Sequence, residues 1–302
     1  MKKTLIAAAL AVCSTAAFAQ NVTVYGTIDA AVAQKEVNGV KTTVQGNADY
    51  LGSSVLGVRG TEDLGGGLKA GFNLEGDLNV GNGTGDGTGG GLTFDRQSWV
   101  ELKQNGTGVR VGRLQDIAKD SYGYGAAGMN LADLSGTTGF STTMGQGNRH
   151  PNATQLEATL AGFRISGSYT NDTAATAAGD AQGTEASAVG IEGEITKGIK
   201  VIATTAKKGD GKGNTVGAQF AVGKAQIGAL YATQDSGAGV KAKAYQVGAT
   251  LPLSGSLIAR ASYGKNDSDT ATSDATYYGV MIEKALSKRT SAYVGYSDLD
   301  VA

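Results

Sequence analysis

The chain is 302 residues long, with 26 Lys and Arg against 27 Asp and Glu and a formal net charge of −1. That balance offers no basic face, so no nucleic-acid partner is expected, and a single cysteine, Cys13, supports neither a disulfide framework nor a thiolate metal site. There are 48 Gly and only 2 Pro, and beyond the N-terminus no apolar run approaches ~18 residues, which excludes membrane-spanning helices but not membrane-spanning strands.

The N-terminal segment predicts export. Lys2 and Lys3 precede an apolar run from Leu5 to Val12, and Ala17-Phe18-Ala19 has the small-x-small form of a cleavage site. Residues 1–19 read as a signal peptide and residues 20–302 as one β-barrel domain. Cleavage after Ala19 removes two basic residues, no acidic residue and Cys13, which leaves a net charge of −3 and no thiol.

From Val22 onward the chain alternates. Residues 21–33 carry Val22, Val24, Gly26, Ile28, Ala30 and Val32 on one parity and Thr23, Tyr25, Thr27 and Asp29 on the other. Residues 68–77 repeat the pattern, with Leu68, Ala70, Phe72 and Leu74 against Lys69, Asn73, Glu75 and Asp77. The stretches 163–170, 216–222, 225–233, 243–251, 257–264 and 276–283 follow it. Short turns such as Asn105-Gly106, Lys197-Gly198 and Gly223-Lys224 alternate with longer polar connections near 34–53, 80–93, 116–147, 171–184 and 265–275. A half-buried soluble sheet would also alternate, but nothing helical is present to cover a second face. Repetition along the whole chain predicts an all-β, transmembrane antiparallel β-barrel with about 15 legible strands of roughly 9–11 residues. In a bilayer every backbone N–H and C=O needs a protein partner, so a chain patterned for strands has to close on itself, polar face inward around water.

Two segments are more specific than periodicity. They run from Gly57-Val58-Arg59-Gly60-Thr61-Glu62-Asp63-Leu64-Gly65-Gly66-Gly67 to Glu75, and from Phe94-Asp95-Arg96-Gln97 to Val109-Arg110-Val111-Gly112-Arg113. With the opening Val22-Thr23-Val24-Tyr25-Gly26, these closely resemble the general trimeric porins of Gram-negative bacteria, in the β-proteobacterial branch. The likeness is strongest over residues 1–115 and extends to about residue 296, where Leu286-Ser287-Lys288-Arg289-Thr290 also resembles a family turn. It implies a barrel of about 16 strands, a homotrimer in outer-membrane lipid, and a third long loop folded into each pore. The connection 116–147 is the natural candidate for that loop. The chain stops at Asp298-Leu299-Asp300-Val301-Ala302, so the final strand that would pair with residues 21–33 is expected to be missing.

The function so implied is passive diffusion of small hydrophilic solutes and ions, with a weak preference for anions. The resemblance places wall arginines at Arg59, Arg96, Arg110 and Arg149. Parity supports an inward Arg110, between Val109 and Val111, and an inward Arg164; Arg59 shares its face with Val55, Gly57 and Thr61 and is read as inward on charge. For Arg96 parity alone points outward, with Ser98 and Val100. The adopted reading turns Trp99 outward against a neighbouring subunit and Arg96 into the pore. Asp116, Asp120 and Asp133 could oppose the arginines from the loop, Asp120 and Asp133 being preferred by position. No catalytic, cofactor or metal residue is expected. The single histidine, His150, sits between Arg149 and Pro151 and reads as a capping or lumenal residue rather than a general base, against a barrel hydrolase. Gly83-Thr84-Gly85-Asp86 is one degenerate copy of a repeat that would need tandem copies to bind calcium. A plugged structural or adhesive barrel is the remaining alternative.

Overall fold

The computed structural model describes residues 21–37, 39–47, 51–85, 91–121, 124, 149–170, 185–269 and 274–301. The expected signal peptide and Asp133 lie outside the described residues. Early strands are β1 (Asn21–Thr27), β2 (Ala30–Val37), β3 (Val40–Asn47), β4 (Val55–Gly65), β5 (Leu68–Asn79), β6 (Thr84–Gly85), β7 (Gln97–Gln104), β8 (Thr107–Gln115) and β9 (Arg149–Leu160). Then come β10 (Phe163–Thr170), β11 (Ala186–Thr196), β12 (Ile199–Lys208), β13 (Gly211–Val222), β14 (Ala225–Asp235), β15 (Lys241–Pro252), β16 (Leu257–Ser268), β17 (Ala275–Ala285) and β18 (Ser291–Val301).

One antiparallel path, β1-β4-β5-β7 and on in chain order to β18, forms the wall; β6 pairs only with β5, and β2 and β3 form a hairpin of their own. From β7 to β18 consecutive strands are neighbours, so each backbone ladder is satisfied locally and short turns suffice at one end. Two-residue turns join β4 to β5, β7 to β8, β9 to β10, β11 to β12 and β13 to β14. At Asn105-Gly106 both residues have positive φ, 52° and 82°, the twist a tight hairpin needs and the reason for an Asn-Gly pair there. The long connections all lie at the other end.

Parity separates lipid from water as the alternation predicts. Val24 (69% exposed), Val100, Leu156, Val189, Val216, Val247 and Val280 form an outward apolar belt, while Asn73, Gln155, Thr204, Gln246 and Ser262 are buried on the inner side. In a barrel the exposed apolar face is the one that meets lipid.

The first predicted strand, residues 21–33, is corrected. The chain leaves the wall at Ile28-Asp29, and residues 30–47, read as strand end and loop, form the β2–β3 hairpin. Asp29 explains the break. Its amide N–H donates to Ser54 Oγ (2.9 Å), and its Oδ2 accepts the Leu51 N–H (2.7 Å), tying the departing chain to the segment returning to β4. The two ends of the path, β1 and β18, have no strand partner on their outer edges among the described residues. They are bridged instead by Tyr293 Oη, which donates to Asp29 Oδ1 (2.5 Å), and by Leu51 packing with Tyr277, Met281, Tyr293 and Leu299.

Candidate functional site: the pore wall and its inward loop

The connection leaving β8 turns inward at once. A short 3-10 helix, Ile117–Ser121, lies against the inner wall. Ile117 packs with Ala188 and Ala206, and Ala118 with Leu230, Ala232, Ala244 and Tyr124. Those partners share the inward parity with Gly190 and Gly217, so the wall of β11 to β15 presents a shelf of small side chains. A methyl group at Gly190 would stand 2.5 Å from Ile117 Cγ2, and one at Gly217 3.0 Å from Tyr124 Cβ. The shelf is an alanine and glycine run on the polar parity, a signal present in the sequence but not used in predicting the site.

The root of this loop is pinned by a buried pair. His150 Nε2 lies 2.8 Å from Asp116 Oδ2, and Asp116 Oδ1 accepts the Ala118 N–H (2.7 Å). Asp116 is therefore a structural anchor and does not face the solute path. His150 is held in this buried pair. Asp120 lies in the 3-10 helix, its side chain outside what the structure describes.

Cross-strand register sets the wall electrostatics. Arg96 meets Glu75 at 2.8 Å and Asp77 at 2.5 Å. Arg110 meets Glu101 at 2.6 Å, its backbone partner across β7–β8. Lys103, Glu157, Arg164 and Glu192 follow as an alternating ladder over β7, β9, β10 and β11, with contacts of 2.6, 3.3 and 2.7 Å. Arg260 and Glu283 form a further pair at 2.7 Å. Arg59 differs: its guanidinium carbon sits 4.9 Å from the Tyr25 ring centre, and no carboxylate pairs with it among the described residues. Arg149, opposite Gln115 at the start of β9, likewise lacks a described ion pair, its neighbours including Arg96, Arg113, Asp77 and Asp95.

A family profile described as Gram-negative porin matches residues 6–301. The chain belongs to that porin family. Outer membrane porin protein 32 of Delftia acidovorans is 32% identical over 97% of this chain and 88% of that protein. The major outer membrane protein P.IB of Neisseria meningitidis (serogroup B / serotype 15, strain H44/76) is 43% identical over 40% of this chain and 36% of its own length. A solved anion-selective porin from Comamonas acidovorans superposes with a TM-score of 0.73 at 26% identity, covering 93% of this chain and 89% of that one. The protein is an outer-membrane porin, a barrel whose water-filled lumen passes small hydrophilic solutes and ions.

Within this porin the four expected arginines fall in one wall sector, on β4, β8, the start of β9 and the residue before β7. Arg59 and Arg110 point inward as expected. Arg96 also points inward, but the reason given for it is corrected: Trp99 is not outward. It pairs across the sheet with Asn73, a lumenal residue, and Arg110 stacks over its ring at 4.2 Å. Arg96 precedes β7 rather than belonging to its ladder, so strand parity does not govern it. Its N–H donates to the Glu75 carbonyl (3.0 Å) while the side chain reaches the Glu75 and Asp77 carboxylates.

Proposed function

We propose that this porin passes anions slightly better than cations, and that Arg59 and Arg149 set the preference. The supporting observation is that these two cations lack a carboxylate partner among the described residues, whereas Arg96 and Arg110 are neutralised locally by Glu75, Asp77 and Glu101. Ion pairs on a pore wall cancel at distances longer than their own length, so an unpaired charge dominates the field that a passing ion meets. Residues 116–147, entering the lumen by way of Ile117 and Ala118, would form the constriction, with Asp120 and Asp133 as its acidic side. The anion selectivity in the name of the Comamonas acidovorans structure fits this reading. The protein carries no catalytic role in it, and residues 1–19 serve as a cleaved signal peptide. Three copies would associate through the outward faces of β1 and β4 to β8, where Val22, Val24, Val100, Leu102 and Val111 are exposed.

Reconstitution into planar bilayers tests the function directly. A porin gives stepwise conductance, and an anion preference gives a zero-current potential of matching sign in a KCl gradient. A silent bilayer with folded protein would favour a plugged barrel, and a cation-sign potential would remove the role given to Arg59 and Arg149.

A further inference from the structure

The inner face of β4, β5 and β7 has a gap at its centre. Register sets three lumenal rows across these strands: Arg59, Asn73 and Trp99; then Thr61, Gly71 and Glu101; then Asp63, Lys69 and Lys103. Gly71 contributes no side chain to the middle of this lattice. A hollow of about 240 Å³ opens over it, with the Tyr25 ring beside Arg59 at one end. Same-face rows two apart are roughly 13 Å from each other along the strands, so the hollow has cations at both ends and bare backbone between. Its acids do not cancel them. Glu101 is held by Arg110 and Lys103 by Glu157, both at 2.6 Å, while Asp63 does not line the hollow and accepts the Gly65 N–H (2.9 Å). Arg59 and Lys69 are exposed to the lumen and make no ion pair among the described residues. Lys69 also faces Lys103 across the ladder, a like-charge contact that an intervening anion relieves.

We infer that this hollow is a binding station for small aromatic carboxylates crossing the pore. The backbone at Gly71 gives a flat floor. Trp99, with Arg110 over its ring at 4.2 Å, gives an aromatic flank. Lys69 supplies an ammonium group for the carboxylate, and Arg59 a guanidinium for the far end of the ring. A volume below the roughly 300–1,000 Å³ of drug-sized sites fits one ring and one carboxylate. An aliphatic anion of equal charge meets the same ammonium but gains no ring contact. The inference rests on the proposed anion preference and deepens it by naming a solute class. Its own seat is the glycine floor, Trp99 and Lys69.

The test adds benzoate or cyclohexanecarboxylate to the channel in a planar bilayer at ~0.1 M KCl, where the Debye length is ~10 Å. The half-blocking concentration is read from the open-channel current and its noise. Benzoate should block at a concentration about 2- to 10-fold below that of cyclohexanecarboxylate, the range one aromatic contact supplies. Gly71→Val fills the floor and removes no charge. Its Cβ would lie 3.6 Å from the Gly60 carbonyl oxygen and 3.9 Å from Glu101 Oε1, ordinary contacts that let the barrel fold. Benzoate block should weaken at least about fivefold in this variant, while the zero-current potential in a KCl gradient keeps the parent's value. Lys69→Gln should weaken block about threefold, and Lys69→Arg should retain it. The heat-modifiable band on SDS gels checks the fold of each variant. Equal block by the two acids overturns the inference, as does parent-like benzoate block in either Gly71→Val or Lys69→Gln. A cation-sign potential with the benzoate pattern intact would remove the anion preference and leave the station standing, so the two readings fail separately.

Discussion

Arg59→Gln removes a lumenal charge without stranding a partner among the described residues, because the guanidinium rests on Tyr25 and on no described carboxylate. An ion passing ~6 Å from that charge in water-like dielectric feels ~0.7 kcal/mol, and a Debye length of ~10 Å at 0.1 M salt reduces this to about 0.4 kcal/mol. Anions gain that energy and cations lose it, so the anion-to-cation permeability ratio should fall by about threefold. At 1 M salt the Debye length shrinks to ~3 Å and the change should drop below about 1.5-fold. The assay is the zero-current potential across a planar bilayer in a KCl gradient, measured at low and high mean salt. The glutamine keeps the fold, since only a cation–π contact of about 0.5–1 kcal/mol is lost at so exposed a site. An unchanged potential at low salt would mean that Arg59 does not face the narrow part of the path. A change that persists undiminished at 1 M would mean that it acts by reshaping the loop rather than through its field.

Four further outcomes follow from particular contacts. Arg96→Gln strands Glu75 and Asp77, so it should also move selectivity towards cations and, unlike Arg59→Gln, lower stability by ~2 kcal/mol, seen as an earlier loss of SDS resistance on heating; adding Glu75→Gln should recover part of that loss. Asp116→Asn sets an amide where Asp116 accepts from the Ala118 N–H or meets His150, costing ~1–2 kcal/mol at the loop root and raising open-channel noise; quiet channels would deny the anchor role. Gly112→Val should block refolding into the heat-modifiable band, because Gly112 has φ +136° and an added Cβ would lie 2.2 Å from the Ser98 carbonyl oxygen. Val24→Asp on the outward face should shift the detergent-corrected mass to a monomer, whereas Trp99→Phe should leave it unchanged, since Trp99 points into the lumen; the reverse pattern would sink the assigned interface.

Most of the wall was legible because its two solvents enforce a period of two. With lipid on one side and water on the other, each residue's parity decides its face, so Val24, Arg110 and Arg164 were placed without coordinates. The tight turns were legible too, since Asn105-Gly106 names its own backbone. Parity failed where the chain leaves the ladder. Arg96 lies one residue before β7 and swings inward to Glu75, and Ile28-Asp29 turns out of the wall into a hairpin that no alternation announced.

Composition, strand pattern and the arginine-bearing motifs belong to the sequence alone, because each depends on residues near one another in the chain. Which charges cancel does not. Arg110 meets Glu101, and Arg164 bridges Glu157 and Glu192, only once hairpin register sets those strands side by side. Four arginines that look equivalent in the sequence thereby become two that are neutralised by neighbouring carboxylates and two that have no carboxylate partner among the described residues. Only the tertiary structure decides this, because a charge's reach is set by its neighbours in space.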